Sequence, residues 1–194
     1  MSLLVGLAQR CAAGETVCGD GLLVEAVNGG LLVSVVDGLG HGPMAGIAAD
    51  AFVASVRQDL TRSLESMMLS ASGALNGTRG AAAGIMRIDE TRRRVEFTGV
   101  GNIEVHSVSD PSIRPVCAPG IVGGHVRKLI PFEYALPHRA LLALCSDGIS
   151  SRLHLADFAH LEPQAIADAL MSEHGKSHDD ATCIVILHTT EEPA

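Results

Sequence analysis

The sequence predicts an α+β fold, a layered α-β-β-α sandwich of two mainly antiparallel sheets flanked by helices. Two observations carry that prediction. Strand-like runs come first, two helical stretches follow, and a longer series of strands is then closed by a helix and a last strand. Most neighbouring strands are joined by short turns, which pairs them antiparallel. That order lacks the regular β-α alternation of a doubly wound parallel sheet. At 194 residues, with no internal repeat and no low-complexity linker, the chain is expected to form a single domain over residues 1–194.

Each element has a local reason. Strand-like runs occupy residues 3–8, 21–27 and 31–36. Asn28-Gly29-Gly30 separates the last two and signals a tight hairpin. Pro43 opens a helical stretch with apolar positions at Met44, Ile47, Ala48, Ala51, Phe52, Val56 and Leu60. Proline suits a first helical turn, where its missing N–H would have no partner. A second helix, over about 64–75, is stopped by Asn76-Gly77 and places Met67 and Met68 in the core. Period two then returns in strands at 81–88 and 95–100, around a polar turn at 89–93. Arg92, Arg93 and Arg94 read as part of a solvated hairpin tip. Residues 103–108 form the next strand, and 140–145 a continuous apolar one. A short helix at 164–174 precedes the last buried strand, 181–188, and 190–194 read as a frayed tail.

Composition excludes several classes of function. The net charge is −8, there is no Trp, and the aromatic fraction is 3%. Both the acidity and the shortage of stacking platforms argue against nucleic-acid binding. No apolar run has the length of a membrane helix, and no basic flank precedes a signal-type core. Five cysteines (Cys11, Cys18, Cys117, Cys145, Cys183) make an odd count without CxxC spacing. They predict neither a disulfide framework nor a zinc site, and a cytoplasmic location. Cys145 and Cys183 fall within apolar strands as core thiols.

Acids interrupt the apolar strands at particular places. LLVSVVDGLGHG carries Asp37 at a strand end, and ALLALCSDG carries Asp147 at another. CGDGLLV places Asp20, and HDDATCIVIL places Asp179 and Asp180, just before strands begin. In antiparallel neighbours, strand ends and strand starts share a rim, so these sites are expected on one sheet rim. Asp-Gly after a strand is also an ordinary turn dipeptide. Clustered carboxylates repel, and a divalent cation removes that cost. All-oxygen ligation suits Mg²⁺ or Mn²⁺, and a pair of such ions can activate water for in-line attack on phosphorus.

These motifs resemble the PPM-type metal-dependent serine/threonine protein phosphatases, in their SpoIIE branch. They arrive in the family's order: Gly19-Asp20, DGLGHG at 37–42, SDG at 146–148 and DDAT at 179–182, with PGIVGG at 119–124 as a counterpart of the family's glycine-bearing loop. The short segment ahead of Gly19 is similar to the stand-alone phosphatases of stressosomes. The resemblance implies two divalent cations, Mn²⁺ or Mg²⁺. Asp37 would bridge them, the Gly38 carbonyl would hold one, and Asp147 and Asp179 would complete the other. Asp20 would ligate or orient water, and Asp180 would position a neighbouring ligand.

Two positions depart from the family. Gly19 stands where many relatives outside this branch have an acid, and Leu39 where they have His. The general acid is thereby unassigned, with His41 as the nearest candidate and packing or capping at the following helix as its other role. Arg10 is a candidate phosphate ligand, His178 reads as a loop residue, Gly123 and Gly124 as a turn, and Cys18 as close to the site. The resemblance implies a phosphatase acting on phosphorylated STAS-domain proteins of a stressosome-like complex, with no nucleic-acid or membrane partner. A phosphatase of a free anti-anti-sigma factor, or a phosphatase-shaped binding module without turnover, are the other readings.

Overall fold

Apolar runs that lack alternation become strands covered on both faces. The computed structural model describes residues 2–126 and 128–190, and its strands are β1 (Ser2–Arg10), β2 (Asp20–Val27), β3 (Gly30–Gly38), β4 (Ala81–Asp89), β5 (Arg94–Val100), β6 (Glu104–Ser109), β7 (Phe132–Ala135), β8 (Arg139–Cys145) and β9 (Ala181–Thr189). The helices are α1 (Pro43–Arg57), α2 (Leu64–Ala74) and α3 (Pro163–His174). Two antiparallel sheets result, in the orders β1-β9-β8-β6 and β2-β3-β4-β5-β7. The expected sandwich is the observed one. Of the tail, residues 191–194 lie outside the described residues. Among those described, no helix is long and apolar enough to cross a membrane.

Three apolar layers follow from which face each strand residue takes. On β3, Leu32 and Val36 join Phe52, Met67, Met68 and Ile85 beneath α1 and α2. The alternate residues Val33 and Val35 pack between the sheets with Met86, Phe97, Leu142 and Ile184. On the far side, Leu141 and Cys183 meet Ile166 and Leu170 of α3, with Phe158 from a 3-10 turn at Leu155–Phe158. Cys145 and Cys183 are buried, free and directly opposite in the β8–β9 register. Both are the core thiols the sequence predicts.

Local signals set most boundaries. Pro43 begins α1, and Ser63 caps α2 by accepting from the Ser66 N–H at 3.3 Å. Asn28-Gly29 closes the β2–β3 hairpin, with Val27 paired to Gly30. Helix α1 stops at Arg57, short of Leu60, whose carbonyl accepts from Arg87 Nη2 at 3.0 Å. The arginine-rich turn is less solvated than expected. Arg93 donates to the Leu136 carbonyl at 3.0 Å, and Arg94 pairs with Glu96 and Glu133. These contacts secure β7, a short edge strand between Pro131 and Pro137 that the sequence did not signal.

Helix α3 is clipped to the open edge of β1. The Gln164 amide accepts from the Leu7 N–H at 3.0 Å and donates to the Leu7 carbonyl at 2.8 Å. The approach is close because of Gly6: a Cβ there would stand 2.1 Å from the Pro163 carbonyl oxygen. Gly6→Ala should therefore push α3 off the sheet and destabilise the chain by about 1–3 kcal/mol. Urea unfolding checks this, and an unchanged midpoint would remove this contact from the fold's support.

Candidate active site and metal centre

Strand pairing brings the acids together in two pairs. Asp20 and Asp37 are direct partners across β2 and β3. Asp147 follows the end of β8 and Asp179-Asp180 precede the start of β9, its neighbour. The expectation of one sheet rim needs correction: the acids occupy the adjoining rims of two packed sheets. Each antiparallel pair fixes its own acids, and sheet packing joins the pairs.

Asp37, Asp147 and Asp179 line a cleft of about 310 Å³, with Leu39, Gly40, His41, Ala82 and Asn102 around them. Asp20 is not on that lining and is only 6% exposed. Its Oδ2 accepts from Ser146 Oγ at 2.6 Å, while Ser146 Oγ accepts from the Thr182 N–H at 2.9 Å. Gln9 adds to this joint, donating to the Asp20 carbonyl at 3.1 Å and to Thr182 Oγ1 at 3.2 Å. Asp147 Oδ2 accepts from Asn102 Nδ2 at 2.7 Å, and the Asp147 carbonyl accepts from Lys176 Nζ. Gly38 lies between the lining residues Asp37 and Leu39 without being on the lining itself, its N–H donating to the Gly19 carbonyl at 3.0 Å.

The electrostatics are those of an acid cluster whose mutual repulsion Lys176 offsets only at Asp147. Burial, then repulsion from Asp20, Asp147, Asp179 and Asp180, pushes Asp37 up to about 8. Burial, with repulsion from Asp180 and Asp179, pushes Asp20 up to about 7, against the hydrogen bond from Ser146. Asp147 is raised by burial and by Asp179, with Lys176 and Asn102 opposing. One buried oxygen, Asp20 Oδ1, has no hydrogen-bond partner. An all-oxygen donor set with surplus negative charge fits hard divalent cations. The cleft acids do not close into a single-ion cage. Among the described residues, the three donor atoms that lie mutually within 4.8 Å belong to Cys11, Cys18 and Asp180.

The other candidates divide. His41 reaches the cleft lining, but it does not cap α1: its Nδ1 meets Glu15 Oε1 at 2.6 Å. Arg10 turns its guanidinium toward Gly175, and it is not on the cleft lining. His178 is an exposed loop residue. Gly123 is a turn residue with φ +84°, packed on Leu75, and is off the lining together with Gly124. Gly19 explains its own departure from the family, because a Cβ there would stand 2.6 Å from Asp180 Oδ2. Sequence reasoning missed Asn102 and Lys176, which carry no motif. Ser146 and Thr182 sat inside SDG and DDAT, where the acids alone drew attention.

No family model matches the chain. Phosphoserine phosphatase RsbX of Bacillus subtilis (strain 168) is 27% identical over 177 residues, covering 89% of this chain and 88% of that protein. A solved structure from a bacterial stressosome, described as a modular system adapted to control secondary messenger signalling, is 31% identical. It matches 96% of this chain and 100% of its own, with a TM-score of 0.91. The crystal structure of RsbX in complex with magnesium shares the fold at 22% identity and a TM-score of 0.85, over 95% of this chain and 94% of that one. Strand-paired acids at the meeting of two sheets, in a fold and sequence shared this far, place the chain in the PPM-type metal-dependent serine/threonine protein phosphatases, in the branch that includes RsbX.

Proposed function

We propose that this chain, as one phosphatase domain in the cytoplasm, removes phosphate from phosphoserine or phosphothreonine on STAS-domain proteins of a stressosome-like complex. The observation that carries the reading is the cleft that Asp37, Asp147 and Asp179 line together. Similarity to the stressosome structure and to RsbX supports the class of partner. By removing phosphate from the scaffold, the enzyme would reset it to recapture its kinase.

Asp37, the Gly38 carbonyl, Asp147 and Asp179 would hold two Mg²⁺ or Mn²⁺ ions. When bound, such ions activate water and neutralise charge gathering on the phosphoryl oxygens. The residues around them do the positioning. Asn102 fixes the Asp147 carboxylate at 2.7 Å, and Lys176 fixes the backbone beneath it. Asp20, locked to Ser146, steadies the centre from behind, and Asp180 holds Asp179 through its N–H at 3.0 Å. A net charge of −8 leaves phosphate binding to the ions and not to a basic surface. His41 is the proton donor to the departing seryl oxygen. Glu15 holds its Nδ1, and its Nε2 has no side-chain partner among the described residues.

Phosphate release from a phosphorylated STAS protein should fall by roughly 10²–10³-fold in Asp37→Asn and stop in excess chelator. Turnover that survives either change refutes the metal-centred mechanism. His41→Gln should slow the phosphoserine substrate by about 10²-fold. It should leave p-nitrophenyl phosphate, whose leaving group needs no proton, nearly unchanged. Equal loss on both substrates, or none on either, removes the acid role.

Stability of the metal-free chain should depend on pH through the same acids. Asp20 and Asp37 titrate near 7 and 8 when folded, above the ordinary 3.8. Their contribution is present in full below about pH 4 and is lost as pH rises through 7–8. Melting in chelator should therefore occur at lower temperature at pH 9 than at pH 6, roughly bracketing those values, and added Mg²⁺ should restore it at the higher pH. A melting temperature that rises across this interval contradicts the burial of these acids.

A further inference from the structure

The connection from β1 to β2 carries the chain from one sheet to the other, and it returns two sulfurs to one place. Cys11 and Cys18 each offer Sγ, and Asp180 a carboxylate oxygen, with all three atoms mutually within 4.8 Å. Both thiols are free and partly exposed, so the place is open to solvent from the loop side. Asp180 is 2% exposed. Its Oδ1 accepts from the Ala12 N–H at 2.9 Å, beside Cys11. Its Oδ2 is buried without any hydrogen-bond donor, at Gly19, beside Cys18. No Lys or Arg among the described residues pairs with this carboxylate. A buried anionic oxygen left without donor or cation is costly.

Two thiols, which lose their protons when they ligate a metal, and one carboxylate form a donor set of different chemistry from the oxygen-lined cleft. Thiolates select zinc-like cations, whereas carboxylates, carbonyls and water select magnesium and manganese. Three protein ligands leave one position of a tetrahedral ion for water. We propose that Cys11, Cys18 and Asp180 form a second metal site, for a thiophilic divalent cation of the zinc class, at the back of the phosphatase cleft. The site is coupled to the cleft through the chain itself. Asp180 directly follows Asp179, and Cys18 stands two residues before Asp20. The sequence concealed this site: Cys11 and Cys18 have no CxxC spacing, and their third partner lies at the far end of the chain.

Cadmium, added to the 194-residue chain under saturating Mg²⁺, serves as a probe that reports sulfur ligation by an ultraviolet charge-transfer band. The band should saturate at a single equivalent. It should disappear in the Cys11→Ser, Cys18→Ser double variant, survive in Cys117→Ser, and require more metal in Asp180→Asn. Oxygen ligands give no such band, so binding in the cleft does not imitate the result. Zn²⁺ should also protect Cys11 and Cys18 from alkylation in the unaltered chain, read by peptide mass, which needs no variant to fold. A band that persists in the double variant, absence of both band and protection, or loss of both thiols to a Cys11–Cys18 disulfide under these conditions overturns the proposal. None of these readings depends on phosphatase activity, so its failure is separable from failure of the function proposed above.

Discussion

Asp20 Oδ2 accepts from Ser146 Oγ at 2.6 Å, and that contact joins the start of β2 in one sheet to the end of β8 in the other. Thr182 and Gln9 extend it, so the rim of the sandwich is sewn together by polar groups between apolar layers. The arrangement of the cleft depends on this joint. Asp37 hangs from the sheet that Asp20 begins, while Asp147 and Asp179 hang from the other. If the rims slid past each other, the acids would remain at strand ends but would face different neighbours.

Antiparallel pairing places strand ends beside strand starts, and it costs nothing extra to repeat that in a second sheet. Repulsion among the gathered carboxylates is the opposing term, visible as the upward shifts of Asp20, Asp37 and Asp147. Much of the surrounding hydrogen bonding fixes these acids in place. Asn102 holds one oxygen of Asp147, and the Ala12 N–H holds one of Asp180. Two oxygens of these acids, Asp20 Oδ1 and Asp180 Oδ2, are left buried without a donor.

Much of this was legible in the sequence, because the decisive signals are local. Asn28-Gly29 sets the hairpin that pairs Asp20 with Asp37, Pro43 starts the helix that covers it, and the continuous apolar runs declare buried strands. Partnerships across the chain were not legible. Nothing near Asn102 indicates that it holds Asp147, and nothing near Gln164 indicates that it serves Leu7. Strand β7, only four residues long, is too short to announce itself, and it depends on Arg93 and Arg94 for its place. His41 was legible as a candidate but not its partner Glu15, because the loop between β1 and β2 has no periodicity to place it.

The Gln164 clip on β1 has a consequence beyond holding a helix. A border strand offers a row of unsatisfied amides and carbonyls that invites a stray strand from another molecule. At Leu7 both groups are already occupied by a side-chain amide that imitates a backbone neighbour. A foreign strand would have to evict Gln164, and with it α3, before it could zip along this border. The glutamine thus works as a one-residue guard against fibril-like stacking.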